Sequence, residues 1–115
     1  MRRGEVRLVA FDPVRGGEAN KTRPAVIVSN DSANAIADRL GRGVVTVLPL
    51  TSNTDRVYPF QVLLPAADSG LSRDSKVRAE QVRSVAVERI GRRVGVVPAA
   101  LMTAVDAALR LHLGL

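Results

Sequence analysis

The sequence predicts a mainly β domain, in which several short antiparallel strands form a small, partly closed β-barrel with one helix packed on it. Gly and Pro residues separate short runs rich in Val and Ile, as turns separate strands. Near the end of the chain the apolar period changes from 2 to 3.6, which indicates an amphipathic helix. The chain has 115 residues, 46% of them hydrophobic, and no linker or repeat divides it. We therefore expect residues 1–115 to form a single domain with its own core.

Each predicted strand rests on a pattern of apolar residues. Residues 5–11 alternate well enough for a half-buried strand, whereas residues 24–29 are an almost continuous run of apolar residues that suits burial on both faces. Residues 43–48 form another Val-rich strand, which we expect Pro49 to end because proline cannot donate to a central ladder. Residues 12–22 form a polar loop. The remaining predictions are a strand at 58–64, a turn-rich stretch at 65–74, and two or three strands within 75–87 and 92–97.

Two helices are predicted. Residues 31–39 suit a short helix with Asn30 or Asp31 as its N-cap. In the C-terminal helix, Asp106 and Arg110 make a favourable i,i+4 pair on the outer face. The apolar residues that share its inner face are Leu101, Val105, Ala108 and Leu109.

Composition excludes several classes of protein. The chain has no Cys, so disulfides, Cys-based zinc sites and thiol nucleophiles are excluded. Its single His, His112, excludes RNA cleavage by two histidines acting as base and acid. No phosphate loop or cluster with metal-ligand spacing occurs, so we expect no metal and no cofactor. Neither a signal peptide nor a membrane-spanning apolar run is present, so we expect a soluble, cytoplasmic protein with no membrane partner.

The charge of the chain points to an anionic partner. The 17 Lys and Arg residues exceed the 11 Asp and Glu residues by 6, and all but two of the cations are Arg, whose planar side chain suits phosphate recognition. A GC-rich coding sequence would also raise the Arg content, so composition alone does not name the partner. The three aromatic residues are few for a protein that binds RNA mainly by base stacking.

Three segments hold polar residues that the strands do not need for packing. The first has an Arg at the rim of the barrel, just before a buried strand, where it could hold a phosphate. The second offers two hydroxyls and an amide at a strand exit, which can bind phosphate or base edges. The third offers a carboxylate beside an amide in a strand, which can read a base edge. Each has a plain alternative as a solvated rim residue, a turn former or a polar strand face. These residues are Arg23 with the preceding loop 16–22, Thr51 with Ser52 and Asn53, and Glu80 with Gln81.

The same segments resemble the MazF/PemK toxins of bacterial toxin–antitoxin pairs. The blocks that match are Arg3 to Val6, Thr22 to Asn30, Val47 to Ser52, Tyr58 to Phe60 and Glu80 to Ser84. They occur in the family's order, and the match runs from about Arg2 to Leu115, including the terminal helix. One departure is Arg7, where an aromatic residue, often Trp, is common in the family.

The resemblance implies an SH3-like β-barrel with a terminal helix that works as a homodimer. It also implies a metal-independent endoribonuclease that cuts single-stranded RNA within short motifs, with messenger, ribosomal or transfer RNA as the target. The family's catalytic Arg and Thr map onto Arg23 and Thr51, and a loop Glu found in some members maps onto Glu18. The residues expected to contact RNA are Asn20, Lys21, Ser52, Asn53, Glu80 and Gln81.

The chemistry of such a cut is feasible without a metal because the ribose 2′-OH is tethered beside the phosphorus. We expect Arg23 to stabilise the phosphate charge, Thr51 to orient the phosphate, and Glu18 to serve as the base. Two other functions stay open at this point: a CcdB-like toxin that poisons DNA gyrase, and a basic nucleic-acid-binding barrel without activity. The net charge of +6 further predicts an acidic, partly disordered cognate antitoxin that folds along the groove.

Overall fold

The computed structural model describes residues 1–11 and 22–115, which form seven β-strands and three α-helices. The strands are β1 (Glu5–Ala10), β2 (Thr22–Ile27), β3 (Val44–Thr51), β4 (Gln61–Leu64), β5 (Ser75–Arg78), β6 (Arg83–Ala86) and β7 (Ile90–Val96). The helices are α1 (Asp31–Leu40), α2 (Ala66–Ser69) and α3 (Ala99–Leu113), with short 3-10 helices at Ala79–Gln81 and Val87–Arg89. The predicted mainly β class with a C-terminal helix is confirmed.

The strands form one antiparallel sheet in the order β4-β5-β3-β2-β1-β7, and β6 also pairs with β3. The strands at the two ends of this order, β4 and β7, do not pair with each other among the described residues. The sheet is therefore open where a complete barrel would close. Strand β2 lies between β1 and β3, which fixes its backbone on both sides.

Strand β3 corrects the prediction that Pro49 ends it. The strand runs on to Thr51, and Pro49 is paired with Ala25 of β2. On its other side, β3 pairs with β6 over Val44–Val47 and then with β5 from Leu50 onwards. Pro49 lies between these two pairings, where no ladder hydrogen bond needs its missing N–H, so the strand tolerates it.

Two other predicted strand segments are irregular. Strand β4 begins at Gln61 rather than at residue 58, because the Gln61 N–H closes a turn onto the Tyr58 carbonyl at 2.8 Å. Glu80 and Gln81 lie in a 3-10 helix rather than in a strand. The chain leaves β5 at Arg78 and makes this one helical turn before it enters β6.

The helices follow the predicted pattern, with one correction. The Asn30 side chain accepts a hydrogen bond from the Ala33 N–H at 2.8 Å, which confirms Asn30 as the N-cap of α1. In α3, Asp106 pairs with Arg3 at the start of the chain rather than with Arg110, because the helix packs across the N-terminal segment. None of the described helices is long and apolar enough to cross a membrane.

The core consists of two apolar clusters on either side of the sheet strands. One includes Val26 and Leu48 and is covered by α3 through Val105. The other includes Ile27 and Val47 and is covered by α1 through Ala37. Strands β2 and β3 contribute to both clusters, as the continuous apolar run of residues 24–29 predicted. Their ends are therefore held on a rigid support.

Candidate active site

Strands β2 and β3 bring Arg23 and Thr51 to the same edge of the sheet. Their antiparallel register pairs Ile27 with Val47 and Ala25 with Pro49, and two further residues along that register lie Arg23 and Thr51. Arg23 is exposed and Thr51 is partly buried. Both residues line one concavity of about 290 Å³. The structure therefore brings together the two residues to which the resemblance assigned catalysis.

The chemical character of this concavity suits an anion. It contains two guanidinium groups, those of Arg23 and Arg73, and no described carboxylate lines it. Its other polar groups are hydroxyls, and its apolar lining comes from Pro24 and two leucines. Guanidinium and hydroxyl donors around an open cleft are the groups that bind a phosphate. The complete lining is Arg23, Pro24, Leu50, Thr51, Ser52, Leu71, Ser72, Arg73 and Ser75.

The segment after Thr51 is folded by its own side chains. The Thr51 Oγ1 accepts a hydrogen bond from the Asn53 N–H at 3.2 Å, and the Asn53 Oδ1 accepts one from the Asp55 N–H at 3.2 Å. These contacts fix two successive tight turns. The Thr51 hydroxyl proton stays available, so the same oxygen can donate to a phosphate. Ser52 and Asn53 are exposed beside it, and Ser52 lines the concavity.

The predicted base-contacting pair, Glu80 and Gln81, does not line this concavity. Gln81 is exposed and Glu80 is partly buried. The Gln61 Nε2 donates a hydrogen bond of 2.6 Å to the Glu80 Oε2, and the Gln61 Oε1 accepts one from the Tyr58 N–H at 3.2 Å. Gln61 thus joins the 3-10 helix to the turn before β4. The other carboxylate oxygen, Oε1, is buried without a described partner.

An aromatic surface adjoins this turn. The rings of Tyr58 and Phe60 are stacked with centroids 5.4 Å apart and planes 4° apart. The Arg56 Nη1 donates to the Tyr58 hydroxyl at 3.2 Å. Tyr58 is 42% exposed, so one aromatic face and one guanidinium are open to a ligand near Gln61. Two of the three aromatic residues of the chain are therefore placed together.

Sequence reasoning missed three residues of this region. Arg73 lies in the turn-rich stretch, and nothing in its spacing distinguished it from a solvated loop residue. Arg78 donates to the Leu50 carbonyl at 3.5 Å, directly behind Thr51, and its Nε is buried without a described partner. Gln61 stands at a position whose neighbours alternate between apolar and polar, which favours an exposed side chain, yet it is 8% exposed. A polar residue that is buried this far needs partners, and the sequence could not show them.

Other predicted residues lie apart from the site or outside the described chain. Glu18, Asn20 and Lys21 lie outside the described residues. His112 is exposed in the last turn of α3 and does not line the concavity. In residues 1–11 and 22–115 no group of three or more His, Asp or Glu side chains could hold a metal ion. Arg7, where the family often has an aromatic residue, binds Glu5 at 2.9 Å on β1.

The model of the family described as the PemK-like, MazF-like toxin of type II toxin–antitoxin systems matches residues 2–113. The chain therefore belongs to this toxin family, as the resemblance of its motifs predicted. The match covers both Arg23 and Thr51 and extends through α3.

Individual relatives are similar along their whole length. Endoribonuclease MazF9 of Mycobacterium tuberculosis (strain ATCC 25618 / H37Rv) is 61% identical over 115 residues, which cover 100% of this chain and 98% of the relative. Endoribonuclease MazF of Staphylococcus epidermidis is 31% identical over 116 residues, covering 100% and 92%.

Solved structures agree with the fold. A mycobacterial endoribonuclease in complex with its cognate antitoxin has a TM-score of 0.76 and 26% identity, covering 100% of this chain and 96% of that chain. The MazE–MazF complex (form II) of Deinococcus radiodurans has a TM-score of 0.79 and 29% identity, with the same coverage of 100% and 96%.

Proposed function

We propose that this chain is an endoribonuclease toxin that cuts single-stranded RNA and is silenced by a cognate antitoxin. The observation that carries the proposal is the convergence of Arg23 and Thr51 in one concavity that no described carboxylate lines. The family membership and the 61% identity to an endoribonuclease support it. A gyrase-poisoning toxin would have no use for this pair, and no described feature favours that alternative.

The reaction begins at the ribose beside the scissile phosphate. The 2′-oxygen attacks the phosphorus, its proton passes to a base, and the bond from phosphorus to the 5′-oxygen breaks. The leaving 5′-oxygen takes up a proton, so the products are a 2′,3′-cyclic phosphate and a 5′-hydroxyl. The enzyme gains most of its advantage by holding the 2′-oxygen in line with the leaving group. DNA has no 2′-OH and is not a substrate.

Charge stabilisation is the role that we assign to Arg23, which lines the concavity. Negative charge grows on the non-bridging oxygens during the attack, and a guanidinium can donate two parallel hydrogen bonds to them. Thr51 lies on the opposite strand, where its hydroxyl can donate to a second oxygen and orient the phosphate. Arginine stays protonated at neutral pH, so it serves poorly as a proton donor. For the base we propose Glu18.

RNA contacts beyond the scissile phosphate are proposed for six polar residues. Ser52 and Asn53 present a hydroxyl and an amide beside the concavity, and Gln81 presents an exposed amide. The Glu80 carboxylate is held by Gln61, so its contact with RNA requires that this hydrogen bond be exchanged. Because aromatic residues are few, these polar groups carry most of the base reading. Asn20 and Lys21, which precede β2 in the sequence, complete the set.

Two partners follow from the family and the charge. The net charge of +6 favours an acidic antitoxin segment that lies over the cationic concavity and excludes RNA. Binding of this kind weakens as salt is added. We also propose that the toxin acts as a homodimer in the cytoplasm, where its RNA targets are.

The catalytic assignment is tested by single-turnover cleavage of single-stranded RNA. Arg23→Ala should lower the rate by roughly 100- to 1000-fold, the usual loss for one donor to a developing oxyanion. Thr51→Ala should lower it by about 10- to 100-fold, whereas Thr51→Ser should retain most activity because it keeps the hydroxyl. Arg42→Ala is the matched control, since Arg42 is exposed after α1 and does not line the concavity. Parental activity of Arg23→Ala would refute the assignment.

A further inference from the structure

A second concavity adjoins the candidate active site and has no part in the chemistry described above. It measures about 340 Å³. Pro24, Leu71 and Ser72 line both concavities, so the two share a wall. Arg92 of β7 lines only the second one, and Arg73 lines only the first. A ligand that leaves the first concavity over Leu71 and Ser72 therefore arrives at Arg92.

The cations along this path have no described counter-charge. Arg23, Arg73 and Arg92 are all exposed, and none forms an ion pair with a described carboxylate. The carboxylate nearest in sequence, Asp74, instead accepts a hydrogen bond from the Ala66 N–H at 2.8 Å. Three guanidinium groups along a partly apolar path make an electropositive track, which favours an anionic chain.

The spacing of the strands indicates what kind of anion fits. In the β1–β2 register Leu8 lies opposite Pro24, and β1 separates β2 from β7. Neighbouring strands are about 4.8 Å apart, so the backbones that carry Arg23 and Arg92 are roughly 10 Å apart. Each guanidinium lies at the end of a long side chain, so two arginines whose backbones have this separation can bind different phosphates of one strand, which a single small anion does not offer. The track therefore matches a nucleic acid backbone.

The wall that the two concavities share is held firmly in place. Segment 69–71 packs directly on the backbone of β7 at Gly95, where a Cβ atom would lie 2.8 Å from the Ser69 carbonyl oxygen and 3.0 Å from Leu71 Cδ2. Any larger residue at position 95 would push this segment outwards. The shared wall is thus preformed by its packing on β7, and Arg23 and Arg92 lie on strands, as a binding surface requires.

We propose that Arg92 forms a second phosphate subsite, with Arg73 beside it in the first concavity. This subsite holds the RNA backbone on one side of the cut after the backbone leaves Arg23. The proposal rests on the proposed function, since it takes RNA as the ligand. An acidic protein segment is the competing occupant. The RNA is favoured because the shared wall makes the subsite continuous with the position of the scissile phosphate.

The test compares RNA substrates of different length. Once 5′-end mapping has given the cleaved motif, three single-stranded RNAs are made: the motif alone, the motif extended on its 5′ side, and the motif extended on its 3′ side. Arg92→Ala should raise KM by roughly 3- to 10-fold for one of the extended RNAs and leave kcat for that RNA unchanged. The KM for the short RNA should not change. The dependence of log Kd on log salt for that RNA should become shallower by about 0.7, the value for one phosphate of a single strand.

The adjacent residue supplies the control. Arg93 is also exposed on β7 but lines neither concavity, so Arg93→Ala removes the same charge from the same strand. It should leave all three substrates at parental KM, and Arg92→Lys should restore most of the loss. Equal KM values for Arg92→Ala and the parent on both extended RNAs would overturn the proposal, as would an equal loss on the short RNA.

Two further outcomes separate the proposal from its alternatives. If Arg92→Ala weakens binding of the antitoxin but not of either extended RNA, the subsite belongs to the protein partner and the proposal is wrong. If the parental chain cuts no RNA, the proposed function fails. Binding of single-stranded RNAs of increasing length, measured by fluorescence anisotropy for the parent and for Arg92→Ala, then still decides whether Arg92 holds a nucleic acid backbone.

Discussion

Replacing Gln61 with Ala removes the two hydrogen bonds of its side chain, which join β4 to the 3-10 helix and to the turn before the strand. Gln61 is 8% exposed and donates to the Glu80 carboxylate at 2.6 Å while it accepts from the Tyr58 N–H at 3.2 Å. A hydrogen bond to a charged group contributes about 1.5–3 kcal/mol, and a neutral one about 0.5–1.5 kcal/mol. From the sum of these two contributions, we expect Gln61→Ala to lower the free energy of unfolding by about 2–4 kcal/mol.

The assay is equilibrium denaturation in urea, with thermal melting as a second readout. For a domain of this size, a loss of 2–4 kcal/mol corresponds to a fall in Tm of roughly 8–16 °C. Gln81→Ala is the matched control, since Gln81 is exposed next to Glu80 and its side chain forms no hydrogen bond with a described residue. Gln81→Ala should change the free energy of unfolding by no more than about 0.5 kcal/mol. If Gln61→Ala also stayed within about 0.5 kcal/mol of the parent, the reasoning about this buried pair would be refuted.

Two further predictions concern stability. Gly95→Ala should lower the free energy of unfolding by about 1–3 kcal/mol, because its Cβ would lie 2.8 Å from the Ser69 carbonyl oxygen. It should also raise KM for RNA by displacing Leu71. Urea denaturation and cleavage kinetics measure the two effects, and unchanged stability would contradict the prediction. Partial burial acts to raise the pKa of Glu5, but hydrogen bonds from Arg7 and from the Arg2 backbone outweigh it and hold the pKa below its ordinary value of 4.5. The stability that Glu5 contributes is therefore present above pH 4.5 and is lost as the pH falls through the lowered value. Glu5→Gln should flatten the acid side of the stability curve measured by urea denaturation, and parallel curves for parent and variant would contradict this.

Regular elements were predictable where a local pattern determines the structure. The continuous apolar run at residues 24–29 predicted a strand buried on both faces, and Ala25, Val26 and Ile27 are fully buried in β2. The change of apolar period predicted α3, and an Asn before an acidic residue predicted the N-cap of α1. In each case the information lies within one turn or one strand.

Features that depend on contacts between distant segments were not predictable. Pro49 is tolerated inside β3 because that strand changes partner from β6 to β5 at this residue. Asp106 pairs with Arg3, which is remote in sequence and close only after α3 has packed. The burial of Gln61 likewise depends on the 3-10 helix that follows β5.

The residues of the candidate site also differ in whether a local sequence pattern marks them. Arg23 and Thr51 could be named because each adjoins a strand that the sequence marks clearly, and their roles came from the resemblance. Arg73 and Arg92 could not be named, since the two concavities that they line share a wall only after segment 69–71 has packed on β7 at Gly95. A loop cation and a strand cation carry no pattern that distinguishes a phosphate contact from a solvated side chain.

The most direct test of ribonuclease activity is end-group analysis of cleaved RNA. The purified chain is incubated in EDTA with a single-stranded RNA and with the same RNA carrying a single 2′-deoxy nucleotide at the mapped cut. If the 2′-oxygen attacks the phosphate that Arg23 and Thr51 hold, the chain cuts within a short motif. The new ends carry a 2′,3′-cyclic phosphate and a 5′-hydroxyl, and no cut occurs at the deoxy position. Intact RNA after long incubation, or ends that carry a 3′-hydroxyl and a 5′-phosphate, would contradict it.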